Sequence, residues 1–185
     1  KCSDLVTVFT KKLSENPKDA DLLTLIITLF ERQKCTDSPL YFEAASNLHK
    51  IKPSASSAFS LGNMNFNLKK YQEAADYFAQ AAELFTEADN KAKSYLSLAE
   101  SYRLLNQFQK ARTAALQSAE NNPIDGRPYI IIGDMYAASA SNCGTDDISS
   151  RSAYWAAVDK YIKARSVSNE ENIKNEASSR ISKYS

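Results

Sequence analysis

The chain has 185 residues, a net charge of +1 and a hydrophobic content of 43%. Its basic and acidic residues are interspersed, which disfavours nucleic-acid binding because that function requires a concentrated positive face. The longest apolar run, residues 22–30, contains Thr24 and Thr28 and is far shorter than the roughly 20 residues of a membrane span. We therefore interpret this run as a core helix and predict no membrane span in this segment.

Apolar residues recur at helical spacing along the chain, strand-like alternation is absent, and there are only 4 glycines. We therefore predict an all-α protein. The predicted helices cover about residues 3–15, 20–34, 38–51, 55–68, 71–86, 90–105, 108–121, 126–140, 149–167 and 170–183. Ser38-Pro39 is typical of an N-cap followed by proline at the first helical position, and Pro53 and Pro123 end the helices before them.

Two cysteines lie at matching places on the first two predicted helices. Cys2 opens the first helix, Cys35 ends the second, and the turn between them centres near Pro17-Lys18. In an antiparallel pair, equal distances from the turn bring residues side by side, within the roughly 4.4–6.8 Å Cα window of a disulfide. The alternative is two unrelated thiols. A disulfide implies a periplasmic or exported protein, and its absence a cytoplasmic one.

A phrase of an aromatic residue followed three positions later by alanine recurs along the chain. Its four copies are Tyr41/Ala44, Tyr71/Ala74, Phe108/Ala111 and Tyr154/Ala157. Before three of these phrases stands a pair of one large and one small residue, as in Leu61-Gly62, Leu98-Ala99 and Ile132-Gly133. These features resemble the tetratricopeptide repeat (TPR) family, whose helical hairpins repeat about every 34 residues. The segment 154–161 is most similar to uncharacterised bacterial members of that family.

The resemblance implies one right-handed α-solenoid of antiparallel hairpins over residues 1–185. Its expected parts are the second helix of a preceding hairpin (3–19), four units (20–54, 55–88, 91–124 and 125–169) and a final helix (170–185). The incomplete first hairpin leads us to expect a fragment of a longer protein. The final helix has Ile173, Ala177 and Ile181 on one face and polar residues elsewhere, as a capping helix requires.

The fourth unit carries an insertion at about residues 140–151, which is either a recognition loop or a neutral spacer. It contains Cys143, Asp146 and Asp147. A nucleophilic cysteine needs a nearby base, but the only histidine, His49, is two repeats away and is expected to be a partly exposed residue at a helix end. The aspartates lack the spacing of a calcium loop. We therefore predict no catalytic residue, no metal site and no cofactor.

In TPR proteins the first helix of each hairpin lines a concave groove, so the resemblance nominates the exposed residues of those helices as partner-binding. The first unit contributes Thr24, Thr28 and Glu31. The later units contribute Phe59, Asn63, Phe66, Asn67, Lys93, Leu96, Glu100, Arg103, Arg127, Ile130, Asp134 and Ala137. Phe59 and Phe66 flank Asn63 by one turn each, which suits an extended peptide or a short helix. The alternative is that both rings pack on neighbouring helices.

Some TPR proteins clamp chaperone C-termini with Lys, Asn, Asn, Lys and Arg. The corresponding positions hold Phe59, Asn63, Ser97, Arg127 and Ile131, of which only two are suitable. We therefore disfavour a cochaperone function. The sequence predicts instead a non-enzymatic interaction scaffold for a protein or peptide. The alternatives are an architectural spacer within a longer exported protein and, less favoured, an accessory role centred on the Cys143 loop.

Overall fold

The computed structural model describes residues 1–140 and 147–184, except the side chains of residues 147, 149 and 150. These residues form ten helices and no strand, which confirms the all-α helical-repeat fold. The helices are α1 (Cys2–Glu15), α2 (Ala20–Arg32), α3 (Pro39–Ile51), α4 (Ala55–Asn67), α5 (Tyr71–Leu84), α6 (Ala88–Leu104), α7 (Phe108–Asn121), α8 (Arg127–Ser139), α9 (Asp147–Val167) and α10 (Glu171–Tyr184). Each begins and ends within two residues of its predicted bounds.

Local sequence accounts for several helix starts. The Asp19 carboxylate accepts hydrogen bonds from the first-turn amides of α2, and Ser54 and Ser57 form a capping box at the start of α4. These bonds satisfy amides that have no partner within the helix. Pro39 occupies the first turn of α3, where its missing N–H costs nothing.

The turns α2–α3, α4–α5 and α6–α7 share one backbone conformation. Each places a non-glycine residue in the left-handed region, namely Lys34, Lys69 and Asn106 with φ of 55°, 60° and 57°. In each turn the amide of the following residue donates to the carbonyl five positions earlier, at 2.8, 2.9 and 2.9 Å. This is the Schellman ending of a helix.

The chain divides into two compact units, residues 1–84 and 85–185. In the first unit, α1, α2 and α3 share a core of buried residues. It contains Phe9, Leu13, Leu23, Ile26, Phe30, Cys35, Leu40, Tyr41 and Ala44. A disulfide joins Cys2 to Cys35, with Cα atoms 5.6 Å apart and 33 residues between them in sequence. The bond ties the start of α1 to the end of α2.

Gly62 on α4 allows a close approach to Phe78 on α5. A Cβ atom at Gly62 would lie 2.6 Å from two carbons of the buried Phe78 ring. We expect Gly62→Ala to lower the free energy of unfolding by about 1–2 kcal/mol. Overpacking costs about 1–3 kcal/mol, and the higher helix propensity of alanine offsets up to about 1 kcal/mol of it. Urea denaturation followed by circular dichroism measures the change.

The double variant Gly62→Ala/Phe78→Leu tests the cause of that loss. A smaller side chain opposite the new methyl group should make the cost of Gly62→Ala smaller than it is in the wild-type background. An equal cost in both backgrounds would show that the Gly62–Phe78 contact is not its origin.

In the second unit, α10 closes the core made by α8 and α9. Its Ile173 and Ala177 are buried with Ile130, Tyr161 and other residues of those helices. The rest of α10 is mostly exposed polar residues. One apolar face and one polar face are the properties of a helix that ends a repeat array.

Candidate functional site

The exposed face of α4 carries two amides. Asn63 and Asn67 are both exposed and lie one turn apart. The flanking rings are half-buried: Phe59 lies 5.5 Å from the Phe78 ring and Phe66 lies 5.3 Å from the Tyr71 ring, measured between centroids. Both rings therefore pack on α5, and only part of each remains on the surface beside the amides.

A cleft of about 300 Å³ opens beside Asn67, between the α2–α3 turn, the start of α3 and the end of α4. Phe42, Met64 and Leu68 give it an apolar lining, and Leu68 is 59% exposed. The remaining lining residues are Thr36, Asp37, Ser38, Pro39 and Lys70. We call Asn63, Asn67 and this cleft the α4 site.

Ser38 is a polar group in the lining of this cleft. Its Oγ is buried and has no hydrogen-bond partner among the described residues. Although Ser38 is the N-cap residue of α3, its side chain does not bond to the first-turn amides. An unsatisfied buried hydroxyl costs free energy, but this oxygen is closed to a ligand in the cleft because it is buried.

The nominated residues of α2 are engaged within the first unit. The hydroxyls of Thr24 and Thr28 donate to carbonyls one turn earlier, at 2.7 and 2.8 Å. Glu31 accepts a 2.8 Å hydrogen bond from the Tyr41 hydroxyl. Burial, and then the Glu31 carboxylate, raise the pKa of Tyr41. The two threonine bonds lie within α2, and the Glu31–Tyr41 bond joins α2 to α3.

The nominated charges of α6 largely pair with one another. The Arg103 guanidinium donates two hydrogen bonds to the Glu100 carboxylate, at 2.8 and 2.6 Å. Hydrogen bonding to Glu100 raises the pKa of Arg103, with a smaller contribution from the charge of Asp134 on α8. Lys93 is exposed and Leu96 is half-buried. A ligand would have to compete with the Glu100–Arg103 pair.

Most of the nominated face of α8 lies against other parts of the second unit. Ile130 was predicted to be an exposed residue of the groove, and that exposure is wrong: Ile130 is only 5% exposed and packs in the core with α9 and α10. Asp134 accepts hydrogen bonds from the Tyr161 hydroxyl (2.9 Å) and from Arg180 of α10 (2.8 and 3.2 Å). Ala137 packs against the same core.

Arg127 lies at the start of α8, where its guanidinium forms a bidentate pair with the buried Asp125 carboxylate. Hydrogen bonding to Asp125 raises the pKa of Arg127. The Asp125 carboxylate also accepts from the Arg127 amide at 2.9 Å. The pair therefore holds the first turn of the helix, although the Arg127 side chain remains partly exposed.

His49 is not the partly exposed residue that was predicted. It is 6% exposed, with Nδ1 2.8 Å from the Ser57 hydroxyl and Nε2 3.2 Å from Gln80 Oε1. Its ring also meets the Tyr77 ring edge-on. These contacts join α3, α4 and α5, so His49 is a structural residue of the first unit.

Neither a metal cluster nor a membrane span is found in the part of the chain that the structure describes. Within residues 1–140 and 147–184, no three His, Cys, Asp or Glu residues are arranged to hold a metal ion. None of the helices described there is long and apolar enough to cross a membrane. Cys143 and Asp146, considered above for chemistry, lie outside the described residues, as does the Asp147 side chain.

Comparison with known proteins identifies the repeat. Residues 54–123 match the sequence pattern of the tetratricopeptide repeat family. No curated protein sequence matches significantly.

Solved structures with a similar fold come from proteins of low sequence identity. A crystal structure of MamA covers 85% of this chain and 87% of its own, with 21% identity and a TM-score of 0.57. A second MamA structure covers 89% of both chains, with 15% identity and a TM-score of 0.56. YrrB, described as a TPR protein with an unusual peptide-binding site, covers 95% of this chain and 90% of its own, with 18% identity and a TM-score of 0.54.

Proposed function

We propose that this tetratricopeptide repeat protein is a non-catalytic interaction module that holds an extended peptide at the α4 site. The observation that carries the proposal is the apolar cleft lined by the exposed Asn67, with a second exposed amide, Asn63, one turn earlier on the same helix. A volume of about 300 Å³ is at the lower end of ligand pockets. It suits a single large apolar side chain.

The spacing of the amides supports an extended ligand. Asn63 and Asn67 are four residues apart on a helix, which is a rise of about 6 Å. Two residues of an extended chain span about 6.6 Å. Each amide can therefore bond to the main chain of alternate peptide residues, while an intervening side chain reaches the cleft.

The peptide proposal is tested with ligands selected from a random displayed peptide library and resynthesised with a fluorophore. We expect Asn63→Ala/Asn67→Ala to weaken binding about tenfold or more, because each lost hydrogen bond contributes about 0.5–1.5 kcal/mol. Fluorescence anisotropy measures the Kd. Both asparagines are exposed, so the melting temperature should not change.

Asn175→Ala is the matched control, since Asn175 is also an exposed helical asparagine but lies on α10. It should bind selected peptides like the wild type. Peptides that bind the double variant and the wild type equally would rule out the α4 site. Failure of the library to yield any binder dependent on Leu68, tested with Leu68→Glu, would rule out the cleft.

The architectural alternative is supported by the second unit. There Glu100, Arg103, Arg127 and Asp134 form ion pairs within the unit, and Ile130 is buried. A spacer needs its charged side chains to be paired within the chain, and it needs no exposed surface that recognises a ligand. This alternative predicts that no selected peptide depends on the α4 site.

The Cys2–Cys35 disulfide supports an oxidising compartment, such as a periplasm or the cell exterior. We propose that the protein acts there. A mass measurement of the protein taken from its own cell under alkylating conditions tests this proposal, because both thiols would be alkylated in a reducing compartment.

A further inference from the structure

The second unit has a cleft between α7 and the following helix, α8, that no function described above uses. Its volume is about 460 Å³, within the usual range of ligand pockets. Ile132 and Met135 of α8 line it and are only 2% and 5% exposed, whereas Leu116 of α7 is 41% exposed. We call it the α7–α8 cleft, and its apolar lining runs from buried side chains of α8 to an exposed one of α7.

Two hydrogen-bond donors stand beside this apolar lining. Gln109 and Arg112 both line the cleft, lie three residues apart on α7 and are exposed. Neither side chain has a hydrogen-bond or ion-pair partner among the residues that the structure describes. The hydroxyls of Thr113 and Ser139 instead donate to backbone carbonyls of their own helices, at 3.1 and 2.9 Å. The cleft therefore offers an unpaired guanidinium and an unpaired amide.

Arg112 differs in this respect from three other arginines of the unit. Arg103, Arg127 and Arg180 are each held by a carboxylate of the same unit. Arg112 is also the only charged residue among the described residues that line the cleft. A guanidinium presents its N–H donors in a planar fork that matches the two oxygens of a carboxylate. The charge that complements this surface is therefore negative, and a basic ligand would be repelled.

We propose that the α7–α8 cleft binds an extended peptide segment that carries an acidic residue and, two positions away, a large apolar residue. Arg112 and Gln109 hold the carboxylate, and the apolar side chain lies against Leu116 and Met135. Arg112 and Leu116 are four residues apart on the helix, which is a rise of about 6 Å. Alternate residues of an extended chain are about 6.6 Å apart and point to the same side, so one side of the peptide reaches both.

This cleft and the cleft of the α4 site occupy equivalent places in the repeat. Met64 lines the α4 site and Met135 lines the α7–α8 cleft, each two residues after the glycine of its helix. The position after the repeated alanine, however, is Ala45 in α3 and Arg112 in α7. Arg112 thus gives the α7–α8 cleft a charge preference that its place in the repeat does not supply. The inference does not depend on the peptide proposal for the α4 site.

The inference is tested on the full chain, with its disulfide intact, in the Asn63→Ala/Asn67→Ala background, which removes the amides of the α4 site. Peptides selected on this protein from a random displayed library are resynthesised with blocked termini and an uncharged fluorophore, so that only their side chains supply a carboxylate. We expect an acidic residue two positions from a large apolar one. Fluorescence anisotropy measures the Kd.

Substitutions in the cleft locate the binding. Arg112→Gln should raise the Kd about tenfold or more, because it removes a charge-assisted bidentate contact. Leu116→Glu should weaken binding at least as much, because it sets a like charge beside the peptide carboxylate. Arg165→Gln and Ile124→Glu are the matched controls, since both residues are exposed in the same unit and neither lines the cleft. Both should leave the Kd unchanged, and circular dichroism melting checks that every variant is folded.

Changes in the peptide test the contact itself. Replacing its acidic residue with glutamine should cost as much as Arg112→Gln, and the two changes together should cost no more than either alone. Replacing it with lysine should restore binding to the Arg112→Glu protein. Moving the acidic residue next to the apolar one should weaken binding, because adjacent residues of an extended chain point to opposite sides.

A library that yields no peptide dependent on Arg112 would overturn the proposal, as would an Arg165→Gln protein that loses binding equally. Sedimentation equilibrium that shows self-association abolished by Arg112→Gln would assign the cleft to a second copy and also overturn it. Equal binding at adjacent spacing would overturn the extended arrangement. The two sites are told apart because a ligand of this cleft is lost with Arg112→Gln and kept with Asn63→Ala/Asn67→Ala, so such a peptide counts neither for nor against the α4 site.

Discussion

Replacing Tyr161 with alanine is expected to destabilise the second unit by about 3–5 kcal/mol, the usual cost of removing a large buried aromatic side chain. Tyr161 is fully buried, and its ring stacks on Tyr184 with centroids 6.1 Å apart. Its hydroxyl donates to Asp134, and burial followed by that carboxylate raises the pKa of Tyr161. Urea denaturation and hydrogen exchange within α8, α9 and α10 measure the loss.

Tyr161→Phe is the matched variant, because it keeps the ring and removes only the hydroxyl. We expect a loss of about 1 kcal/mol, the usual contribution of one hydrogen bond, since Asp134 retains both of its bonds from Arg180. If phenylalanine were as costly as alanine, the Asp134 network and not the packing of the ring would hold the unit together.

Removing the disulfide with Cys2→Ser is expected to lower the stability of the first unit by about 3–4 kcal/mol. The bond closes a loop with 33 residues of sequence separation, and the chain-entropy relation gives about this cost for such a loop. Cys2 is exposed, whereas Cys35 is buried in the core. Substitution at Cys2 therefore removes the bond with little change in packing, and hydrogen exchange in α1 and α2 should report the loss.

Reduction provides the control for this experiment. A reducing agent should lower the wild-type stability to that of Cys2→Ser and leave Cys2→Ser itself unchanged. Cys143→Ser should behave like the wild type under both conditions. A stable wild type that does not respond to reduction would show that α1 is held by its apolar contacts with α2 and α3 and not by the bond.

Much of the fold follows from local patterns in the sequence. Caps such as Ser54 and helix-ending prolines such as Pro53 act within one turn, so they predict helix bounds without knowledge of the tertiary structure. The prediction of the Cys2–Cys35 disulfide requires only one further assumption, that the first two helices are antiparallel and joined by a short turn. The small residue at Gly62 likewise predicts close packing before its partner is known.

The candidate site was predicted less well because it depends on contacts between distant segments. Ile130, Ile131 and Ile132 are consecutive and all buried, so hydrophobicity alone cannot tell which of them would face a groove. His49 forms a hydrogen bond with Gln80, 31 positions away, and no local sequence pattern predicts this contact or the burial of His49. The cleft combines Leu68 with a turn from a different hairpin, and the sequence analysis placed Leu68 within a predicted helix with no role in a site.

The three shared turns show that the chain lies below its attainable thermal stability. A left-handed conformation costs an ordinary residue roughly 1–2 kcal/mol, whereas glycine adopts it freely. Glycine also has a higher conformational entropy in the unfolded state, which offsets roughly 0.5–1 kcal/mol of this difference. Replacing Lys34 or Lys69 with glycine should therefore raise the free energy of unfolding modestly. Replacing Asn106 should raise it little, because asparagine tolerates the left-handed conformation. Neither lysine lines the cleft of the α4 site, so a more heat-resistant version could be engineered at these two turns without replacing a residue of that site.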